Sequence, residues 1–223
     1  MTIRMAFVVA AAHAALKAQV ARINALNVYP VPDGDTGTNM LLTLESILKE
    51  TSNGSYESQR EASKAGARAA LMGARGNSGV ILSQMIRGAA EVLSKRASLT
   101  AEVFAEALEG ARERAYASIR EPVEGTMLTV VKDASQAAKS ALEKGADLPA
   151  VIRAAAQEAH ASVKRTPQLL GVLRDAGVVD AGGLGVAVIL DGLYACVSGQ
   201  RIEVEEAEDS VPNLDAVHAE EEA

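Results

Sequence analysis

Two aspartates one residue apart are the feature of this sequence with the clearest chemical potential. Asp33 and Asp35 lie within Asn27–Met40 (Asn-Val-Tyr-Pro-Val-Pro-Asp-Gly-Asp-Thr-Gly-Thr-Asn-Met), which also holds two of the chain's six prolines. Carboxylate oxygens are the ligands that Mg²⁺ prefers, with water and phosphate oxygens completing its coordination. A metal–phosphate site is therefore one interpretation of the stretch. A turn followed by a helix N-cap is the other, because aspartate is common in both.

Three standard ligand motifs do not fit. An EF-hand loop beginning at Asp33 needs glycine at its sixth position and glutamate at its twelfth, where this sequence has Thr38 and Leu44. No Gly-x-x-x-x-Gly-Lys loop is present, and no Gly-x-Gly-x-x-Gly follows a strand. Any nucleotide site must therefore be built in another way.

Four glycine-rich breaks each lead into an apolar helical pattern: Asp33–Thr38, Gly73–Gly79, Gly125–Thr126 and Asp180–Gly183. Helix N-termini expose unpaired N–H groups and the positive end of the helix dipole, which attract phosphate. The hydroxyl groups of Thr38, Ser78 and Thr126 can add donors. Each break alone is compatible with an ordinary loop or cap, and only their combination favours a phosphate site.

Hydrophobic periodicity predicts an all-α chain, with helices over residues 5–24, 38–50, 57–72, 80–95, 100–119, 126–144, 147–164, 166–173 and 184–197. No segment alternates with period two for long enough to predict a strand. If the helices run alternately up and down, two helices separate each glycine-rich break from the next, with 166–173 as an extra short segment. The four breaks are then expected to meet at one end of a bundle.

Composition predicts one domain over residues 1–200 and an acidic linker or tail over 201–223. The net charge is −7, but nine of the 29 acidic residues follow Ile202, with no Lys or Arg among them. The remainder is close to neutral and lacks the clustered basic face that nucleic acid requires. A monomer and a homodimer are both compatible with the sequence.

Several other functions find little support. Cys196 is the only cysteine, so an intrachain disulfide or cysteine-based zinc site is excluded. No stretch approaches the ~20 apolar residues of a membrane span, and the apolar start continues at helical spacing instead of resembling a signal peptide. A cytoplasmic protein is the expectation. His13, His160 and His218 lie on helix faces or in the tail and are not expected to be catalytic.

The four breaks together resemble the nucleotide-binding domain shared by the dihydroxyacetone kinase L subunit and the fatty acid kinase A subunit. The similarity rests on Asn27–Met40, Gly73–Gln84, Glu121–Thr129 and Asp175–Gly185, and extends over about residues 5–199. It implies a barrel of about eight antiparallel amphipathic helices, with ATP and Mg²⁺ held at one end.

The resemblance also implies roles for individual residues. Asp33 and Asp35 match two of the family's three acidic metal ligands and are the expected catalytic pair. The third has no acidic counterpart, and Asn27 is the nearest candidate. Arg75 could reach a phosphate, although a solvated arginine in a turn is the simpler interpretation. The expected nucleotide contacts are Thr36, Gly37, Thr38, Asn39, Gly76, Asn77, Ser78, Gly79, Thr126, Met127, Asp180 and Gly182.

The phosphate acceptor is predicted to be a fatty acid carboxylate. The Pro-Val-Pro-Asp-Gly-Asp-Thr-Gly string is similar to the fatty acid kinase A subunit, whereas dihydroxyacetone kinases carry His-Gly after the second aspartate. In the fatty acid kinase system a separate lipid-binding partner presents the acyl chain. A carboxylate needs no general base, and none is evident beside the motif. A hydroxyl-acceptor kinase and a nucleotide-sensing module without catalysis stay open as alternatives.

Overall fold

The computed structural model describes residues 5–54 and 56–199, and every regular element within those ranges is a helix. The predicted all-α class is confirmed. The predicted acidic tail, residues 201–223, lies outside the described residues. The helices are α1 (Met5–Ala25), α2 (Thr36–Asn53), α3 (Gln59–Gly73), α4 (Gly76–Leu93), α5 (Ala101–Ala117), α6 (Met127–Glu143), α7 (Leu148–Leu169), α8 (Gly171–Ala176) and α9 (Ala181–Ser198).

Eight long helices form a closed antiparallel ring. Each packs against its neighbour in the chain, and α9 packs against both α7 and α1 and so closes the ring. The six-residue α8 lies outside this alternation, between α7 and α9. Since α2, α4, α6 and α9 all begin at the same end, the four glycine-rich breaks meet there, as the alternation of the helices predicted.

Small residues let the helices approach closely, as the low aromatic content suggested. The core contains many buried alanines and few aromatic side chains. At the crossing of α4 and α5 a Cβ on Gly88 would lie 2.0 Å from the carbonyl oxygen of Gly110. These two backbones therefore touch, and only glycine fits at the contact.

Three helices begin earlier than the sequence predicted. α2 starts at Thr36 instead of 38, α4 at Gly76 instead of 80, and α9 at Ala181 instead of 184. Glycine is unfavourable in the interior of a helix, so the sequence prediction left the glycine-rich residues out of these helices. In a first turn, however, the N–H groups have no intrahelical partner in any case. The glycine-rich segments thus form the first turns of these helices.

The sequence predicted that one helix ends at residue 164 and another begins at 166. This was wrong, because α7 continues through Pro167 to Leu169. Proline cannot donate to the carbonyl four residues earlier, here that of Val163. The hydroxyl of Thr166 donates to this carbonyl instead, over 2.7 Å. A side chain therefore replaces the missing N–H group and lets the helix continue.

The expectation that no segment is long and apolar enough to cross a membrane was also wrong. By length and composition two helices pass that test, Ala6–Ala25 and Ala181–Ser198. The second is mostly buried inside the ring. The apolar core helices of soluble proteins and N-terminal signal sequences pass the same test.

Candidate functional site

A cleft of about 320 Å³ opens at the end of the ring where the glycine-rich helix starts meet. All four breaks contribute to its wall. The predicted site residues that line it are Asn27, Asp33, Asp35, Thr36, Gly76, Asn77, Ser78, Thr126, Met127, Asp180 and Gly182. The predicted residues that are not among its lining are Gly37, Thr38, Asn39 and Gly79.

The cleft also has an apolar wall that sequence reasoning did not single out. Its side chains come from the loop after α1, from α4, and from the α5–α6 connection and the start of α6. They include Tyr29, Val31, Val80, Ile81, Ile119, Val123 and Leu128. A cavity with an apolar wall and a few convergent polar groups is typical of small-molecule sites. A flat, apolar ring system fits such a wall.

Asp35 occupies the N-cap position of α2, but its carboxylate does not cap the helix. The side chain of Asn24, in the last turn of α1, caps it. Its Oδ1 accepts from the N–H groups of Gly37 and Thr38 at 2.8 and 3.2 Å, and its Nδ2 donates to the hydroxyl of Thr38 at 3.0 Å. The interpretation of Asp35 as a simple helix cap is therefore wrong.

Asn27 lies at the base of the same loop and is 7% exposed. Its Nδ2 donates to the carbonyl of Val31 at 2.6 Å and to Oδ1 of Asp33 at 3.3 Å, while its Oδ1 accepts from the hydroxyl of Thr36. Both ends of the amide are thus engaged within the protein. The contacts tie the Asp33 loop to the start of α2.

The first turn of α4 supplies the second wall. Gly76 has φ +57°, a left-handed conformation, and a Cβ there would lie 2.3 Å from Nδ2 of Asn39. Asn39 thus packs under α4 instead of lining the cleft. The N-cap residue Arg75 offers no side-chain cap, since its guanidinium turns back to the carbonyl of Ala74 at 3.0 Å. The first three residues of α4 therefore line the cleft, and the Arg75 side chain does not cap their N–H groups.

Gly79 and Ser78 have different surroundings. A Cβ on Gly79 would lie 2.7 Å from Oγ1 of Thr43, so this glycine belongs to the contact between α2 and α4. Ser78 lines the cleft and donates its hydroxyl to the carbonyl of Thr36 at 3.4 Å. Of the pair, only Ser78 is placed to meet a ligand.

The α5–α6 connection is held by one carboxylate. Glu124 accepts from the hydroxyls of Tyr116 and Thr129 at 3.0 and 2.6 Å and from Nζ of Lys132 at 2.7 Å. Burial raises the pKa of Glu124, but these three donors outweigh it and hold the pKa below its usual value. Thr126 donates to the carbonyl of Val123 at 2.8 Å, so its hydroxyl is already used in shaping the loop.

Asp180 joins three helices at the back of the cleft. Its carboxylate accepts from the backbone N–H of Gly183 at 2.6 Å, and the backbone N–H of Met127 in α6 lies close enough to lower its pKa. Its own N–H donates to Oγ1 of Thr166 at 3.0 Å, the same hydroxyl that supports Pro167 in α7. Burial raises the pKa of Asp180 to about 7, against the lowering effect of the two N–H groups.

The carboxylate oxygens in the cleft are compatible with a hard divalent cation as their ligand partner. Asp33 and Asp35 both line the cleft, and the capping of α2 by Asn24 leaves the Asp35 carboxylate available. Across residues 5–54 and 56–199 no group of three or more His, Cys, Asp or Glu side chains converges. Two carboxylates fit Mg²⁺, which commonly takes one or two protein carboxylates with phosphate and water.

Fold and site together define an all-α barrel with a ligand cleft at the starts of its helices. The DAK2 domain model matches residues 30–195, and the chain belongs to this family. Protein YloV of Bacillus subtilis is 43% identical over 187 residues, which are 84% of this chain and 34% of that protein. An uncharacterized protein of Staphylococcus epidermidis is 42% identical over 193 residues, 86% of this chain and 34% of that protein.

Solved structures agree with the fold. The dihydroxyacetone kinase of C. freundii in complex with AMP-PNP and Mg²⁺ superposes with a TM-score of 0.63 at 22% identity, over 85% of this chain and 33% of that one. Its native form gives a TM-score of 0.62 at 20% identity over the same shares. The chain spans about a third of the length of the curated relatives and structures that it matches. The predicted helical barrel is confirmed.

Proposed function

We propose that this chain is an ATP-binding, Mg²⁺-dependent phosphotransferase domain. Its acceptor is a fatty acid carboxylate presented by a separate lipid-binding partner, and its product is an acyl phosphate. A cytoplasmic location, where ATP is available, belongs to the same proposal. The observation that carries it is the pair Asp33 and Asp35 at the cleft, with Asp35 relieved of helix capping by Asn24.

The cleft offers complementary places for the parts of a nucleotide. Asp33 and Asp35 would hold Mg²⁺, which when bound neutralises charge on phosphate oxygens. The start of α4, from Gly76 to Ser78, would receive phosphate, because these residues line the cleft and no N-cap side chain occupies their N–H groups. The apolar wall of Val80, Ile81 and its neighbours would receive the base.

A carboxylate acceptor would need none of the titratable groups of this cleft as a general base. The ionisable side chains among its lining are Asp33, Asp35, Glu121, Asp180 and Tyr29, with no histidine. A hydroxyl acceptor calls for a general base, whereas a fatty acid carboxylate is already an oxyanion. One of its oxygens forms a bond to the γ-phosphorus, the bond to the β,γ-bridging oxygen breaks, and ADP leaves with that electron pair. No proton needs to move.

The surface around the cleft supports a protein partner. Seven exposed large apolar side chains lie in the half of the ring that holds the cleft: Val31, Leu42, Leu71, Met72, Val80, Leu169 and Val172. Exposed apolar groups concentrated in one region mark interaction surfaces. Val31 and Val80 line the cleft itself, so a partner bound over them would bring its acyl carboxylate to the γ-phosphate.

The test is acyl-phosphate formation by the protein at its full natural length, with Mg²⁺, ATP and a lipid-binding protein loaded with fatty acid. Asp35→Asn should abolish the reaction while helicity, followed by circular dichroism, is retained. Asp175→Asn, at a side chain that is 74% exposed, is the matched control and should keep full activity. An Asp35→Asn variant as active as the control would overturn the metal assignment.

A comparison of two phosphate acceptors distinguishes the fatty acid kinase from the two alternative functions. Turnover of ATP with dihydroxyacetone, and none with the lipid-loaded protein, would replace the fatty acid by a hydroxyl acceptor. Binding of ATP with no turnover toward either acceptor would identify a nucleotide-sensing module.

A further inference from the structure

We propose that Asn24 is a positioning residue that keeps the Asp35 carboxylate available to a divalent cation. It does so by capping α2 from the neighbouring helix α1, in place of the residue that would otherwise cap it. The cation itself rests on the function proposed above. The capping competition is a property of this chain alone and can be tested without any ligand.

Asn24 and Asp35 compete for the same two donors. An N-cap side chain usually accepts from the second or third N–H group of its helix. With Asp35 at the N-cap position of α2, these groups belong to Gly37 and Thr38. They are the two N–H groups that Oδ1 of Asn24 accepts from, at 2.8 and 3.2 Å. The Asp35 carboxylate makes no such bond.

The Asn24 amide is fixed in orientation by its other end. Nδ2 donates to Oγ1 of Thr38 at 3.0 Å, so the amide grips both the backbone and the side chain of one residue. Close approach of the helices makes this reach possible. A Cβ on Gly37 would lie 2.8 Å from the carbonyl of Val20 and 3.0 Å from Oδ1 of Asn24. A residue other than glycine would push α2 away from its cap.

The Asn24 amide therefore determines whether the Asp35 carboxylate faces the cleft. Aspartate is among the best N-cap residues, so removal of the Asn24 amide leaves two N–H groups beside a carboxylate that can accept from them. Asp35 then turns toward the start of α2 and withdraws from the place where it faces the cleft. Cation affinity would fall, because the Asp35 carboxylate would then cap α2.

The first experiment is a thermal double-mutant cycle in the absence of metal and nucleotide. Asp35→Ala should leave the melting temperature of the wild-type chain nearly unchanged, because Asp35 caps nothing there. In the Asn24→Ala background the same change should lower it by roughly 2–4 °C, because Asp35 is now the cap. Equal effects of Asp35→Ala in both backgrounds would overturn the proposal.

The second experiment measures the cation. Binding of Mn²⁺ is followed by electron paramagnetic resonance in the presence of a non-hydrolysable ATP analogue. Asn24→Ala should weaken it roughly 10–100-fold, the usual effect of losing a group that orients a metal ligand. Asn24→Asp should retain binding, because a carboxylate at position 24 also accepts from both N–H groups. A merely structural role would not produce this rescue at matched stability.

The outcomes separate the two proposals. Mn²⁺ binding that is equal in wild type and Asn24→Ala would overturn the role of Asn24 and leave the proposed function standing. If the wild type binds no Mn²⁺ in the presence of the analogue, the proposed function fails, and the thermal cycle alone decides whether Asn24 displaces Asp35 as the cap.

Discussion

The two ends of the barrel cap their helices in different ways. At the end away from the cleft, α3, α5 and α7 are each capped by their own N-cap residue. Ser58, Thr100 and Asp147 accept from N–H groups three residues later, at 3.3, 3.2 and 3.0 Å. At the cleft end Thr126 caps α6 in the same local way, at 3.4 Å, but α2 is capped by Asn24 of α1. Asp180 caps α9 and also lies close to the backbone N–H of Met127, the first residue of α6.

The cavities at the two ends also differ in the polarity of their lining. Another cavity, of about 170 Å³, is lined by apolar side chains such as Leu93, Phe104, Leu108 and Leu193, with Gln59 as the polar exception. It lies toward the locally capped end. Local caps stabilise one helix each and offer nothing to a ligand. Caps shared between helices couple those helices together and leave polar groups such as Asp35 facing a cleft.

The largest predicted effect concerns the buried carboxyl at the cleft end. Burial raises the pKa of Asp180 in the folded chain to about 7, so folding favours the protonated form. The associated stabilisation is complete below the unfolded pKa of about 4 and is lost as the pH rises through about 7. At about 1.4 kcal/mol per pKa unit this amounts to a few kcal/mol.

In the wild-type protein the free energy of unfolding should therefore decline between about pH 4 and 7, and Asp180→Asn should remove this decline. Urea denaturation at several pH values measures it. Asp175→Asn, at an exposed carboxylate, should leave the decline in place. An unchanged pH profile in the Asp180→Asn variant would show that the carboxyl titrates normally in the folded protein.

The next effect tests the coupling between α7 and α9. Thr166→Val keeps the shape of the side chain but leaves the carbonyl of Val163 and the N–H of Asp180 without their hydroxyl partner. Each buried unsatisfied group costs about 1–3 kcal/mol, so the two together are expected to cost at least about 2 kcal/mol. Thr166→Ser retains the hydroxyl and should recover most of it. Equal losses in the two variants would mean that packing, not hydrogen bonding, is responsible.

The smallest effect is expected at the locally capped end. Thr100→Ala removes the cap of α5 and should cost about 1 kcal/mol of stability. Nucleotide binding, measured by calorimetry well below the melting temperature, should not change, because α5 begins at the end away from the cleft. A change in nucleotide affinity of tenfold or more would show that the two ends are coupled and would break the contrast between them.

Sequence patterns predicted the larger features of the fold well. Periodicity identified the long helices, and their alternation placed Asp33, Gly76, Thr126 and Asp180 at one end, where the cleft is found. The same reasoning put the starts of three helices too late, since it treats glycine as a break wherever it occurs. It also ended α7 before Pro167, because the hydroxyl that supports that proline acts through a side chain.

The site was predicted less completely than the fold. Asn39 and Gly79 were chosen for their place in glycine-rich motifs, yet both lie in the contact between α2 and α4. Asn24 was missed because an asparagine in the last turn of a helix carries no local signal. Its partner N–H groups are 13 and 14 residues later in the chain.

The sequence by itself determined the all-α class, the alternation of the helices and the presence of two closely spaced carboxylates beside glycine-rich helix starts. These depend on short-range regularities, namely periodicity, turn chemistry and composition. Only the tertiary structure decided which side chain caps which helix. A hydrogen bond forms only within about 3 Å, and whether Asn24 reaches α2 or Thr166 reaches Asp180 depends on how closely two helices pack. Whether Asp35 acts as a cap or faces the cleft follows from that packing.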